Sequence, residues 1–160
     1  MSRTRWLLVL SLLLLAALPA AAQGNPDAIV GQWLNGKGTA HIDIYKSGGK
    51  YFGKIVWLKE PLFPADDKKG MAGQPKVDRE NPDPAKRKAP IVDLVILRDF
   101  VFAKDNRWEQ GKIYDPENGK DYKCKMTLQG PDTLAVRGFI GFSMLGRTET
   151  WTRVKQGGGQ

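Results

Sequence analysis

Apolar and polar residues alternate along most of the chain beyond residue 30, at the period of a β-strand. From Ala40 to Lys46, the residues Ala40, Ile42 and Ile44 fall on one face, with His41, Asp43 and Tyr45 on the other. Successive strand side chains point to opposite faces, so this alternation predicts a half-buried strand. Ser47-Gly48-Gly49-Lys50 supplies a glycine turn, and Tyr51 to Leu58 returns as a second strand, apolar on both faces except at Lys54. Gly31-Gln32-Trp33 opens the first element. The pattern resumes from Ile91 to Phe102, with Leu94, Ile96, Phe100 and Phe102 on one side, and continues from Trp108 to Tyr114. Asp121 to Leu128 sets Tyr122, Cys124, Met126 and Leu128 against Asp121, Lys123, Lys125 and Thr127. Thr133 to Gly138 and Arg147 to Val154 follow, joined to their neighbours mainly by short turns. About eight sequential strands and no amphipathic helix predict an all-β, antiparallel up-and-down barrel.

Three stretches break the pattern. Arg3 and Arg5 precede an apolar run from Trp6 to Leu18, and Pro19 then leads to Ala20-Ala21-Ala22. A charged start, an apolar middle and an A-x-A site in that order predict a secretory signal peptide over residues 1–22, with the exported chain starting at Gln23. The run is shorter than the roughly 20 residues of a spanning helix. Residues 59–90 hold six of the ten prolines, among charges of both signs. Proline removes ladder donors and breaks helices, so this is a long charged loop inside one barrel domain over residues 23–154. Residues 155–160 form a glycine-rich tail.

Composition narrows the chemistry. One histidine and one cysteine among 160 residues exclude a multi-histidine metal site, an internal disulfide and a cysteine-rich zinc site. No cofactor or metal is expected. The formal charge is +8. A basic protein outside the cytoplasm, periplasmic or secreted, meets anionic lipid or polysaccharide rather than nucleic acid. Peripheral contact with such envelope components is one reading, and a solvated basic surface is the other.

Several motifs then carry a resemblance. They are Gly31-Gln32-Trp33, Tyr51-Phe52-Gly53-Lys54-Ile55-Val56-Trp57, Asp78-Arg79-Glu80-Asn81-Pro82-Asp83 and Ile113-Tyr114-Asp115-Pro116 with Gly119-Lys120. Tyr122-Lys123-Cys124, Val136-Arg137-Gly138-Phe139-Ile140-Gly141 and Gly146-Arg147-Thr148-Glu149-Thr150-Trp151-Thr152-Arg153 complete the set. In this order, over residues 29–154, the chain resembles the bacterial secreted family called domain of unknown function 2147 (DUF2147). Asp93 departs from it, standing where a glycine is expected after the proline-aliphatic pair. The resemblance implies a lipocalin-like (calycin) barrel and no enzymatic activity. It also implies a structural signature of Gly31, Trp33 and Arg153, with the guanidinium stacked over the indole at the closed end.

Among candidate site residues, His41 lies on the polar face of its strand without a clustered nucleophile, and Cys124 lies on an apolar face. Asp78, Asn81 and Asp83 form an oxygen-rich cluster, suited either to capping turns or to part of a hard-cation site. Lys86-Arg87-Lys88, with Lys68-Lys69 upstream, would meet an anionic ligand end at a barrel mouth, or is a solvated run beside Asp66, Asp67 and Asp83. Phe139-Ile140-Gly141-Phe142-Ser143-Met144-Leu145-Gly146 is unusually apolar for a turn. It either folds Phe139 and Met144 into the core or lines a ligand mouth through Phe139, Ile140, Phe142 and Met144.

The expected function is therefore binding of a small apolar or amphipathic, anionic-ended ligand in the envelope. An enzyme using carboxylates such as Asp43, Asp93 or Asp115, and a solid barrel with no ligand, are the alternatives. A continuous internal cavity separates the hollow barrel from the solid one.

Overall fold

The computed structural model describes residues 24–142 and 144–155. The expected leader over residues 1–22, and all of the expected tail over residues 155–160 except Lys155, lie outside the described residues. Eight antiparallel strands close into one barrel in sequence order: β1 (Gly31–Leu34), β2 (Ala40–Ser47), β3 (Lys50–Leu58), β4 (Val95–Phe102), β5 (Arg107–Asp115), β6 (Lys120–Gly130), β7 (Thr133–Phe139) and β8 (Gly146–Arg153). Closure is by β1 against β8, where Trp33 faces Arg153 and Leu34 faces Thr152. A closed ladder leaves no free strand edge.

The alternation seen in the sequence is the alternation of burial. Ala40, Ile42 and Ile44 of β2 are buried, as are Cys124 and Met126 of β6 and Leu134 and Val136 of β7. β4 differs from the expected pattern. Ile91 to Leu94 belong to the preceding turn, and Asp99 takes φ 62° inside the strand. The pairing with β3 shifts along this stretch, so Leu97 and Phe100 are the two fully buried residues while Phe102 is half-buried. An extra residue in one strand advances the inward phase by one, and simple alternation cannot follow it. Asp93 sits at φ 69°, in the left-handed region that favours glycine. Its N–H donates to the Ile55 carbonyl at 2.7 Å and its carboxylate takes Lys54 at 3.0 Å, which holds the conformation in place.

The strand order places alternate turns at opposite ends. The end holding the β2–β3, β4–β5 and β6–β7 turns is filled. Trp33, Tyr51, Phe100, Trp108, Leu97 and Leu134 are all at most 2% exposed there. Gly111 lets the Phe100 ring lie directly on the β5 backbone, since a Cβ at that position would overlap the ring. The segment before β1 folds across this floor, and the Trp33 and Trp108 indoles donate to the Ile29 and Pro26 carbonyls at 2.8 and 3.0 Å. Arg153 lies over Trp33 with its Cζ 4.2 Å from the ring centroid. Its guanidinium also donates to the carbonyls of Pro131, Val30 and Ala28 at 2.8, 3.2 and 2.6 Å. One arginine thus joins the β6–β7 turn, the last strand and the entering segment.

Candidate functional site

Toward the other end most inward side chains are aliphatic or small, and a cavity of about 970 Å³ opens between the strands and the loops above them. Ala40, Ile42, Ile55, Ile96, Ile113, Val136 and Trp151 form its apolar wall. None of the floor residues Trp33, Tyr51, Phe100 or Trp108 reaches it. The barrel is therefore filled at one end and opens into a pocket beneath the loops at the other. A volume in this range is that of a small-molecule site, roughly 300–1,000 Å³.

The four connections at the open end frame the mouth. Residues 59–94 make the largest of them, a loop ordered by two isolated bridges, Leu62 with Pro75 and Val77 with Pro90, and by a single 3-10 turn over Pro84–Lys86. Its anchor is Asp78, which is 0% exposed. Asp78 accepts from the Tyr114 hydroxyl of β5 at 2.7 Å and from the Asn81 amide at 2.6 Å. Burial and the Asp78 carboxylate push the Tyr114 hydroxyl well above its ordinary pKa. Arg79 then stacks 4.0 Å from the Phe63 ring centroid and binds Asp67 at 2.8 Å. Gly119 of the β5–β6 turn lies so close to the Glu80 carbonyl that no side chain fits between them.

The oxygen cluster of the loop is thus divided among separate bonds. Asp78 points to Tyr114, Asn81 is bonded to Asp78 and to the Asp83 N–H, and Asp83 caps the Ala85 N–H at 3.0 Å. This is the turn-capping role of such residues. Lys86, Arg87 and Lys88 are all exposed and none lines the cavity. Lys86 pairs with Asp83 at 3.5 Å, and Arg87 donates to the Asn81 carbonyl at 2.8 Å. The expected basic rim is corrected to other residues: Lys37, Lys59, Lys76, Arg79 and Arg147 line the mouth. Lys37, Arg79 and Arg147 have carboxylate partners in Glu117, Asp67 and Glu149. Lys59 and Lys76 have none among the described residues.

The apolar turn divides as well. Phe139, Ile140 and Leu145 line the cavity, whereas Phe142 and Met144 point away from it, 81 and 89% exposed. Met144 is therefore neither core nor cavity wall. A hairpin tip has only two flanks, and residues at its apex have nothing opposite them to pack on.

Neither of the two most reactive side-chain types reaches the cavity. His41 stacks on Trp57 outside the barrel, with ring centroids 4.4 Å apart. Cys124 is 2% exposed, and burial pushes its thiol up to about 12. The folded protein is expected to resist a thiol-disulfide reagent at pH 8, and to release one equivalent of reactive thiol only in denaturant; fast labelling of the native state would contradict this burial. The carboxylates Asp43, Asp93 and Asp115 are not brought together. Asp43 and Asp93 flank Lys54, while Asp115 stands at the cavity rim, capping the Glu117 N–H at 2.9 Å.

Sequence reasoning missed Asp78 as an anchor and Lys59 and Lys76 as the free cations at the mouth. It also missed the cavity wall, although one signal for the wall was present. Several inward positions toward the mouth are small or aliphatic (Ala40, Ile55, Gly138), while four of the largest aromatics, Trp33, Tyr51, Phe100 and Trp108, gather toward the opposite end.

Comparison with known proteins places this geometry. A search of curated proteins gives no match. Among solved structures, protein HP1028 from the human pathogen Helicobacter pylori, described as belonging to the lipocalin family, superposes with a TM-score of 0.61. The two chains are 20% identical, and the match covers 73% of each. At that identity the likeness is one of fold. The family profile for uncharacterized proteins conserved in bacteria, DUF2147, matches residues 31–153. With the closed eight-strand barrel and the Trp33–Arg153 stack at its floor, the chain belongs to the DUF2147 family and carries a lipocalin-like fold.

Proposed function

We propose that this protein is a non-enzymatic binding protein of the cell envelope, exported after loss of residues 1–22. It holds a small ligand with an apolar body and an anionic end in the hollow half of the barrel. The observation that carries the reading is the cavity of about 970 Å³ with its wall of Ile42, Ile55, Ile96, Ile113 and Val136. Burying a methylene contributes about 0.8 kcal/mol, so a chain of about fourteen carbons gains about 11 kcal/mol. An association cost of about 4 kcal/mol or more leaves affinity in the micromolar range. Lys59 and Lys76 supply the charge for the anionic end, because the other cations of the mouth are neutralised by neighbours.

A plug supplies the test. Gly138 lines the cavity, and a Cβ there would meet nothing closer than Ile113 Cγ2 at 3.4 Å. Gly138→Phe should therefore fill the hollow without straining the strand. Titration of the wild type with a long-chain fatty acid, followed by the fluorescence of Trp151 in the cavity wall, should show saturable binding. The plug should weaken it about tenfold or more while leaving the melting temperature within a few degrees. Lys59→Gln with Lys76→Gln should weaken the acid more than the matching alcohol, and Lys86→Gln should affect neither. No saturable binding, or binding indifferent to the plug, would remove the cavity as the site.

A further inference from the structure

The β7–β8 turn projects from the open end with Ile140, Phe142, Met144 and Leu145 exposed to 68, 81, 89 and 72%. Large apolar side chains this exposed on one turn lower solubility and gain nothing for the fold, so they signal a surface that meets something. The turn is not a frayed one. Ile140 N–H donates to the Leu145 carbonyl at 3.2 Å, Leu145 N–H to the Phe142 carbonyl at 3.0 Å, and Arg137 to the Met144 carbonyl at 3.3 Å. The apolar display is built into a hydrogen-bonded hairpin.

A second feature adjoins it on the outer face of the barrel. Strand register sets Arg98 opposite Lys112, Lys112 opposite Lys123, and Lys123 opposite Phe139 at the base of the turn. Two residues along, on the same face, Lys125 faces Arg137. Like charges directly opposite across a strand pair repel, so this ladder opposes pairing instead of helping it. Asp121 answers Arg98, but Lys112, Lys123 and Lys125 have no carboxylate partner among the described residues. Arg147, 78% exposed at its side chain, also stands beside the apolar tip, but Glu149 lies 3.9 Å from it, so the unpaired charge rests on the three lysines.

We propose that the turn and this basic face dock the protein on an anionic lipid bilayer, with Phe142 and Met144 inserted at the headgroup level. An apolar tip flanked by unneutralised cations matches an interface that is anionic outside and hydrocarbon within. A soluble anion would satisfy the lysines and leave Phe142 and Met144 in water. A second copy of this chain would set its own lysine ladder against the first. Because Ile140 and Leu145 also line the cavity, docking would bring the mouth against the lipid, and an apolar ligand could pass between them without crossing water. Docking itself does not rest on the ligand reading, since the vesicle assay below uses no added ligand.

The test is co-sedimentation of the purified protein with vesicles of phosphatidylcholine containing phosphatidylglycerol, and with phosphatidylcholine alone. The anionic vesicles should bind it about tenfold more tightly, with affinity falling as salt rises. Phe142→Ser with Met144→Ser should lower that binding about tenfold at an unchanged melting temperature. Lys112→Gln with Lys123→Gln should lower it several-fold and flatten the salt dependence. Absence of binding to either vesicle, equal binding to both, or indifference to the tip substitutions would overturn the proposal. Self-association that the tip substitutions abolish, in protein that ignores vesicles, would assign the turn to a second copy instead. Fatty-acid binding that survives such a result would leave the cavity reading standing.

Discussion

Trp33→Ala is expected to lower the unfolding free energy by about 3–5 kcal/mol, the range for deleting a buried tryptophan. The indole is fully buried at the barrel floor, its N–H bonded to the Ile29 carbonyl, and the cavity left behind would be walled by other rigid aromatics. Arg153→Ala is expected to cost about 2–4 kcal/mol, since it strips donors from three carbonyls and opens the β1–β8 seam. The two losses should fall short of additive by about 0.5–2 kcal/mol in a double-mutant cycle, because either substitution alone removes the stack. Arg153→Lys should not rescue the single loss: an ammonium can sit over a ring but cannot span three carbonyls as a planar fork does. Urea denaturation of the wild type and these four variants measures all of this. Fully additive losses would mean that the stack contributes nothing to closure.

The second large effect belongs to the mouth. Asp78→Ala should cost about 3 kcal/mol or more, because it leaves the Tyr114 hydroxyl and the Asn81 amide buried or half-buried without their acceptor. Tyr114→Phe removes one donor and should cost about 1.5–3 kcal/mol. Asp78→Asn keeps one acceptor for Tyr114 and should fall between wild type and Asp78→Ala. The loss should be local before it is global. Limited proteolysis should cut residues 59–94 faster in Asp78→Ala, while the barrel strands stay protected. Unchanged cutting together with unchanged stability would mean that the loop is held by something other than this carboxylate.

These two sites differ in how far the sequence reveals them. The Trp33–Arg153 stack is legible through the family resemblance, which implies a G-x-W on the first strand and an arginine on the last, and strand closure brings them together. The strands β2 and β6 are legible because one face of each is wet and the other dry. β4 is not, since the left-handed Asp99 shifts its phase and no single-residue pattern marks the shift. Asp78 reads as a turn residue among prolines. Its burial is decided by Tyr114, 36 positions away, and that contact exists only once the loop has folded onto β5. Lys86, Arg87 and Lys88 read as a rim because they are basic and lie on the right loop. The segment around the 3-10 turn leaves them exposed, and Lys59 at the start of the loop and Lys76 between its two bridges take the position at the cavity. Phe142 and Met144 were legible as an anomaly but not as a pair pointing away from the cavity that Phe139 and Ile140 line.

On the proposed function, one half of the barrel is filled and the other half receives the apolar part of a ligand. Isoleucines report on both halves: Ile42, Ile55, Ile96 and Ile113 line the cavity, while Ile29 and Ile44 are buried outside it. With 13C-labelled isoleucine methyl groups, titration with a long-chain fatty acid should shift the first four resonances along one saturable curve and leave Ile29 and Ile44 in place. No shift, or shifts confined to Ile140 at the exposed turn, would contradict the account.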